Sequence, residues 1–134
     1  MRSLIIVILF AKFIFAHLGD GSDGELYVGN DEEISIGLAT SLISSTYLGE
    51  ISIETSDASF LDLGDEVLII TMIDPNKNLD ENHAGTFETK IIESKSGNMI
   101  TFTEPLENNY LMDENQVHQI VDIPNYTDVI IDGT

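Results

Sequence analysis

The chain contains no cysteine and no tryptophan, and it carries five lysines and arginines against 24 aspartates and glutamates. Each shortage excludes something. Without cysteine there is no disulfide to constrain the unfolded chain, no thiolate zinc site and no thiol nucleophile. Without tryptophan, a sugar-stacking platform has to come from tyrosine or phenylalanine. The scarcity of positive charge, in a chain of formal net charge −19, argues against nucleic-acid phosphate and anionic lipid headgroups as partners.

What is present begins with a leader-like segment. Arg2 comes first, an apolar run covers residues 4–11, and Ala16 stands before His17. That order predicts a secretory signal peptide over residues 1–16. Lys12 interrupts the run, which is too short for the roughly 20 apolar residues of a membrane span. Removing the leader takes away Arg2 and Lys12, and three lysines (Lys77, Lys90, Lys95) against 24 acids leave −21. The expected location is secreted or cell-surface, with no membrane insertion of the mature domain. Cations, calcium above all, are the natural small partners of such a surface.

Residues 17–32 are rich in glycine and aspartate and are expected to form an N-terminal loop. From residue 33 to 134 the pattern is that of a single all-β domain. "EISIG" (33–37) and "EISIET" (50–55) alternate apolar with polar residues, as half-buried strands do. "DEVLIITM" (65–72) is apolar on both faces and predicts a strand covered on both sides, or one lining a small barrel. Gly64 before it supplies the positive φ of a tight strand entry, and Asp65 a side chain to bond the turn backbone. Residues 86–94 and 99–104 predict two strands joined by the "KSGN" turn, with Lys95 on the surface. Further strands are expected in "NQVHQIVDI" and "TDVIIDG". "GLATSLISSTYL" has room for a helical turn or two, which its β-branched residues oppose. Turn signals at intervals of roughly 8–12 residues predict an all-β fold, a small antiparallel barrel or sandwich of short strands. Its final strand leads toward further β structure.

Candidate sites are few. Asp74, Asn76, Asn78 and Asp80 occupy alternate positions like ligands 1, 3, 5 and 7 of an EF-hand, which makes them a calcium candidate. The imitation breaks down because Leu79 stands where that loop needs glycine and Gly85 where it needs the bidentate glutamate. Asp20 and Asp23 form a second, looser calcium candidate. The "GDGSDG" run around them matches a dinucleotide pattern in letters, but it lacks the strand before and the helix after, and its aspartates repel phosphate. Asn125-Tyr126-Thr127 satisfies the N-glycosylation rule. His17, His83 and His118 stand far apart, with no metal-ligand spacing between any two. No catalytic residue is assigned and no cofactor other than calcium is expected.

The order "GDEVLI", "AGTFE", "GNMIT", "PNYT" resembles an N-terminal β module of large secreted and cell-surface proteins of bacteria and some protists. The resemblance covers about residues 51–134. It implies surface display or adhesion ahead of a repetitive extracellular region, often a β-solenoid or cysteine-rich repeats, and it implies no catalytic residues. The expectation is therefore a non-catalytic extracellular module with an adhesion, display or capping role, its partner an extracellular ligand or a downstream part of a longer chain. The alternative is a carbohydrate-active enzyme or an ancillary sugar-binding domain.

Overall fold

The computed structural model describes residues 20–78, 80–112 and 115–132. The predicted leader, His17, Leu79 and the last two residues lie outside these. Within them the chain is all-β, with eight strands: β1 (Gly24–Val28), β2 (Ala39–Ser41), β3 (Ser52–Glu54), β4 (Glu66–Ile73), β5 (Phe87–Ser96), β6 (Met99–Phe102), β7 (Val117–Ile123) and β8 (Tyr126–Ile131). Six strands form one antiparallel sheet in the order β2-β7-β4-β5-β6-β3.

This sheet curls until its two edge strands meet. Leu42, just past β2, bridges Thr55, just past β3, and the Ile43 N–H donates to the Glu54 carbonyl at 3.1 Å. Curling wraps one face around the core and answers the expectation of a small antiparallel barrel. Val67, Ile69, Ile92, Ile100 and Ile120 come from alternate positions of four strands and are at most 1% exposed. Tyr110, Phe102, Leu61 and Leu106 fill the space between them. Each such side chain contributes about 1.5–3 kcal/mol on burial.

The strand around Ile69 is covered less evenly than its composition predicts. Val67, Ile69 and Thr71 are fully buried, whereas Leu68 and Ile70 on the other face are half-buried and Met72 is 50% exposed. Opposite Ile70 on that outer face stands Phe87, 63% exposed. The turn into β4 follows expectation. Gly64 takes φ 92° and its N–H donates to the Ile92 carbonyl, while Asp65 Oδ2 accepts from the Asp62 N–H at 2.6 Å. The hairpin between β5 and β6 turns on Gly97 and Asn98, with Gly97 at φ 59°. A positive φ at the first central residue alone is that of a type II′ turn.

Two expectations fail. "EISIG" forms no strand; Ile34 and Ile36 are 46% and 58% exposed, so its alternation faces no core. The predicted loop over residues 17–32 contains β1. In "GLATSLISSTYL" the β-branched residues prevail, and the segment contributes strand β2 and isolated bridges at Leu42 and Thr46 with no helical turn. The pairing of β1 is also unexpected. It runs parallel to β8, from Gly24 opposite Tyr126 to Val28 opposite Ile131, as a separate two-stranded ribbon.

Candidate functional site

The loop between β4 and β5 holds the calcium candidate, and there its alternate polar residues serve a different purpose. Asp74 Oδ1 accepts the Asn76 N–H at 2.9 Å, Asn76 Oδ1 the Asn78 N–H at 3.0 Å, and Asn78 Oδ1 the Asp80 N–H at 3.2 Å. Spacing of two is what a chain of Asx turns requires, each side chain bonding the backbone two residues on. Asp74 Oδ2 also accepts the His83 N–H at 2.7 Å, and Asn82 Nδ2 donates to the Asp74 and Asn76 carbonyls. The N–H groups of His83 and Asn76 hold the Asp74 carboxyl below its ordinary range.

Asp20 and Asp23 are likewise tied to nearby backbone. Asp20 Oδ1 accepts the Ser22 N–H at 2.9 Å, and Asp23 Oδ2 accepts the Asn125 N–H at 2.5 Å. The second bond, with the Asp23 N–H to the Asn125 carbonyl, fastens the entry of β1 to the entry of β8. Asn125 is half-buried, and its Nδ2 donates to Glu66 Oε2 at 3.3 Å and the Ile123 carbonyl at 3.2 Å. Among the described residues, no group of three or more His, Cys, Asp or Glu side chains is placed to hold a metal ion.

The densest polar chemistry lies on the inner face of β5, where no sequence signal marked it. Glu88 is 7% exposed and Lys90 5%. Lys90 Nζ stands 3.1 Å from Glu88 Oε2 and 3.2 Å from Glu107 Oε1. Glu88 Oε2 accepts the Glu107 N–H at 2.8 Å, and Oε1 accepts from the Asn108 N–H at 3.1 Å and the Tyr110 hydroxyl at 3.0 Å. Burial pushes the Glu88 carboxyl up, but these donors outweigh it and hold the group below its usual value. Lys90 is pulled down by burial and raised further by the two glutamates, so the pair is ionised. Burial and the neighbouring Glu88 push the Tyr110 hydroxyl far above its usual value, so it stays a donor. A carboxylate that accepts this many hydrogen bonds is a clamp on the 107–110 segment.

That segment forms one wall of a cleft of about 260 Å³. Asn108 and Asn109 face Gln116 and His118 at the start of β7, and His83 and Thr86 close it from the β4–β5 loop. His83 and His118, 35 positions apart, therefore share one cleft. His118 is 2% exposed; its Nε2 donates to the Leu111 carbonyl at 2.8 Å and its Nδ1 bonds Thr71 Oγ1 at 2.9 Å. Its ring meets Tyr110 edge-on with centroids 5.5 Å apart. Glu107 is the one carboxylate among the described residues lining the cleft.

No family model and no curated protein matches the chain. Among solved structures it is similar to the Gp54 tailspike of Acinetobacter baumannii bacteriophage AP22, solved in complex with A. baumannii capsular saccharide. The TM-score is 0.51 at 22% identity, over 84% of this chain and 22% of that one. It is also similar to the tailspike protein gp49 from Pseudomonas phage LKA1, with TM-score 0.50 at 21% identity, over 81% of this chain and 18% of that one. The likeness is one of β fold, and the chain spans about a fifth of the length of these structures.

Proposed function

We propose that this chain is a non-catalytic module of a secreted or surface protein, one that caps further β structure and displays its curled sheet outward. The observation that carries this reading is the β1–β8 ribbon. Two strands alone are marginal in water, and parallel strands ordinarily have both faces covered. Here β8 puts Val129, Ile130 and Ile131 consecutively into solvent at 56%, 43% and 73% exposure, beside Tyr27 at 51%. Consecutive apolar residues face both sides of a strand, so the ribbon asks for cover on both. Neither β1 nor β8 contains lysine or proline, the usual guards of an open sheet edge. Further β structure that pairs with the open edge of β8 and also packs on the faces of the ribbon satisfies all of this. The leader-like residues 1–16 support a secretory route. The resemblance to N-terminal modules of surface proteins and the fold likeness to tailspikes support the display role.

Hydrogen exchange tests it. In this chain alone, amides of β8 should exchange at least about a hundredfold faster than those of β4 and β7, the low-stability end of the fold. In a chain that supplies further β structure after residue 134 they should become protected. Equal protection of β8 and β4 in this chain alone would show a ribbon that needs no cover.

A second reading, a sugar-binding module, is favoured by the polar cleft and by the saccharide bound to the AP22 tailspike.

A further inference from the structure

Between β1 and β2 the chain has the pattern of a strand and no partner. In residues 31–36, Ile34 and Ile36 alternate with Glu33 and Ser35, and every residue is exposed. Residues 32–36 run on without a turn, a bend or a bridge. From Glu33 to Gly37, no backbone N–H or C=O bonds another of the described residues. The cause lies on the neighbouring strand. β2 pairs with β7 at Thr40 and Ile120, and the Asp122 N–H donates to the Leu38 carbonyl at 2.9 Å. Two residues further along that register, Ile36 would fall opposite Pro124, which has no N–H to give. Gly37 turns the chain away at the same point, with φ 66°. So β7 cannot continue the ladder, and a strand-like segment leaves the sheet with both edges open.

An open strand edge is a template for another strand, whose main chain supplies affinity and whose alternate side chains supply fit. Ile34 and Ile36, 46% and 58% exposed, offer an apolar row to such alternate side chains. The segment contains neither lysine nor proline, which commonly guard such an edge. Its charge decides which strand it receives. Asp31, Glu32 and Glu33 stand in succession at its entry, in a chain of net charge −19. Among the described residues no cation pairs with any of the three. These acids repel a second copy of the chain and attract a strand that carries lysine or arginine.

We propose that residues 33–36 are a docking edge for an extended, basic segment of a partner protein, which adds to them as a β-strand. Its main chain bonds the free N–H and C=O groups, its alternate apolar side chains meet Ile34 and Ile36, and its cations meet Asp31 and Glu33. The edge makes no use of the β1–β8 ribbon, so its failure leaves the capping reading intact.

The test is an NMR titration of the mature chain with three short peptides. These are KTVTVTK, its acidic counterpart ETVTVTE, and KTPTPTK, which keeps the charge but lacks the donors of a strand ladder. The first should shift the backbone amides of residues 33–36 with a dissociation constant of about 1 mM or below. The other two should bind at least about 10-fold more weakly, the acidic one through repulsion and the proline one for want of donors. Successive N–H groups of a strand face opposite edges, so at least one of Ile36→Pro and Ser35→Pro should weaken KTVTVTK about 10-fold. Unchanged exchange protection of β4 in both variants reports an intact fold. The proposal is overturned if KTVTVTK leaves these amides unmoved, if either comparison peptide binds them as tightly, or if neither proline variant weakens binding. Shifts confined to β8, or self-association of the free chain through residues 33–36, would overturn it as well.

Discussion

Tyr110 and Glu88, 22 residues apart, meet inside the protein, with the Tyr110 hydroxyl donating to Glu88 Oε1 at 3.0 Å. Tyr110 comes from the segment after β6 and Glu88 from the inner face of β5. Their contact, with the backbone bridge between Tyr110 and Thr46, fixes the wall of the cleft against the curled sheet.

Replacing Glu88 with glutamine should therefore cost more than a surface change. Lys90 would lose its buried partner, and breaking a buried pair costs about 3–5 kcal/mol. Because the folded protein holds the Glu88 carboxyl below its usual value, the carboxylate contributes fully above that value and its contribution is lost as pH falls. Urea unfolding should show the gap between wild type and Glu88→Gln widest near neutral pH and narrowing as pH falls below the usual glutamate range. A gap independent of pH would show that the charge plays no part.

Asp122 should behave with the opposite sign. Burial, and then the nearby Asp65 and Asp23, push its carboxyl up. A raised acid binds its proton more tightly in the fold than in the unfolded chain, so its contribution to stability falls as pH rises through that interval. Asp122→Asn should raise the urea midpoint at neutral pH and leave it unchanged near pH 3, where the aspartate is protonated in both states. Destabilisation at neutral pH would contradict this.

Lys95 is expected from sequence to be a surface residue of a turn, but it is half-buried. Its Nζ donates to the Ala58 carbonyl at 3.0 Å and to the Leu61 carbonyl. Lys95→Met keeps the stem and removes the donor, at a cost of about 1.5–3 kcal/mol for hydrogen bonds from a charged group. Lys77→Met, exposed in the β4–β5 loop, should change stability by less than about 0.5 kcal/mol. Chemical denaturation of the two variants side by side decides the matter; equal losses would refute the assignment.

For the Asp74–Asp80 loop, the expected outcome is no selectivity for calcium. Asp74, Asn76 and Asn78 each direct a side-chain oxygen to their own loop backbone, and a bound ion would have to compete for it. Screening of the negative surface should still stabilise the fold in any salt. Melting temperatures in calcium, magnesium and sodium chloride at matched ionic strength should coincide. A rise specific to calcium that disappears in Asp74→Ala would establish a site.

What the sequence determined by itself is local: the all-β class, the tight turns at Gly64 and Gly97, and the burial of Val67 and Ile69 on one side of their strand. These follow from period-two patterning and from glycine's freedom at positive φ, which neighbours in the chain suffice to specify. Which alternation meets a core is a different matter. "EISIG" and "EISIET" read alike, yet only the second pairs, because strand β6 is there to receive it. A charged pair at inward positions, Glu88 and Lys90, looks the same in sequence as one facing water until the 107–110 donors arrive from elsewhere. The same holds for His83 and His118 in one cleft, and for the parallel pairing of β1 with β8 across about a hundred residues. Those meetings were decided by tertiary structure alone, since they depend on which strands the curled sheet brings side by side.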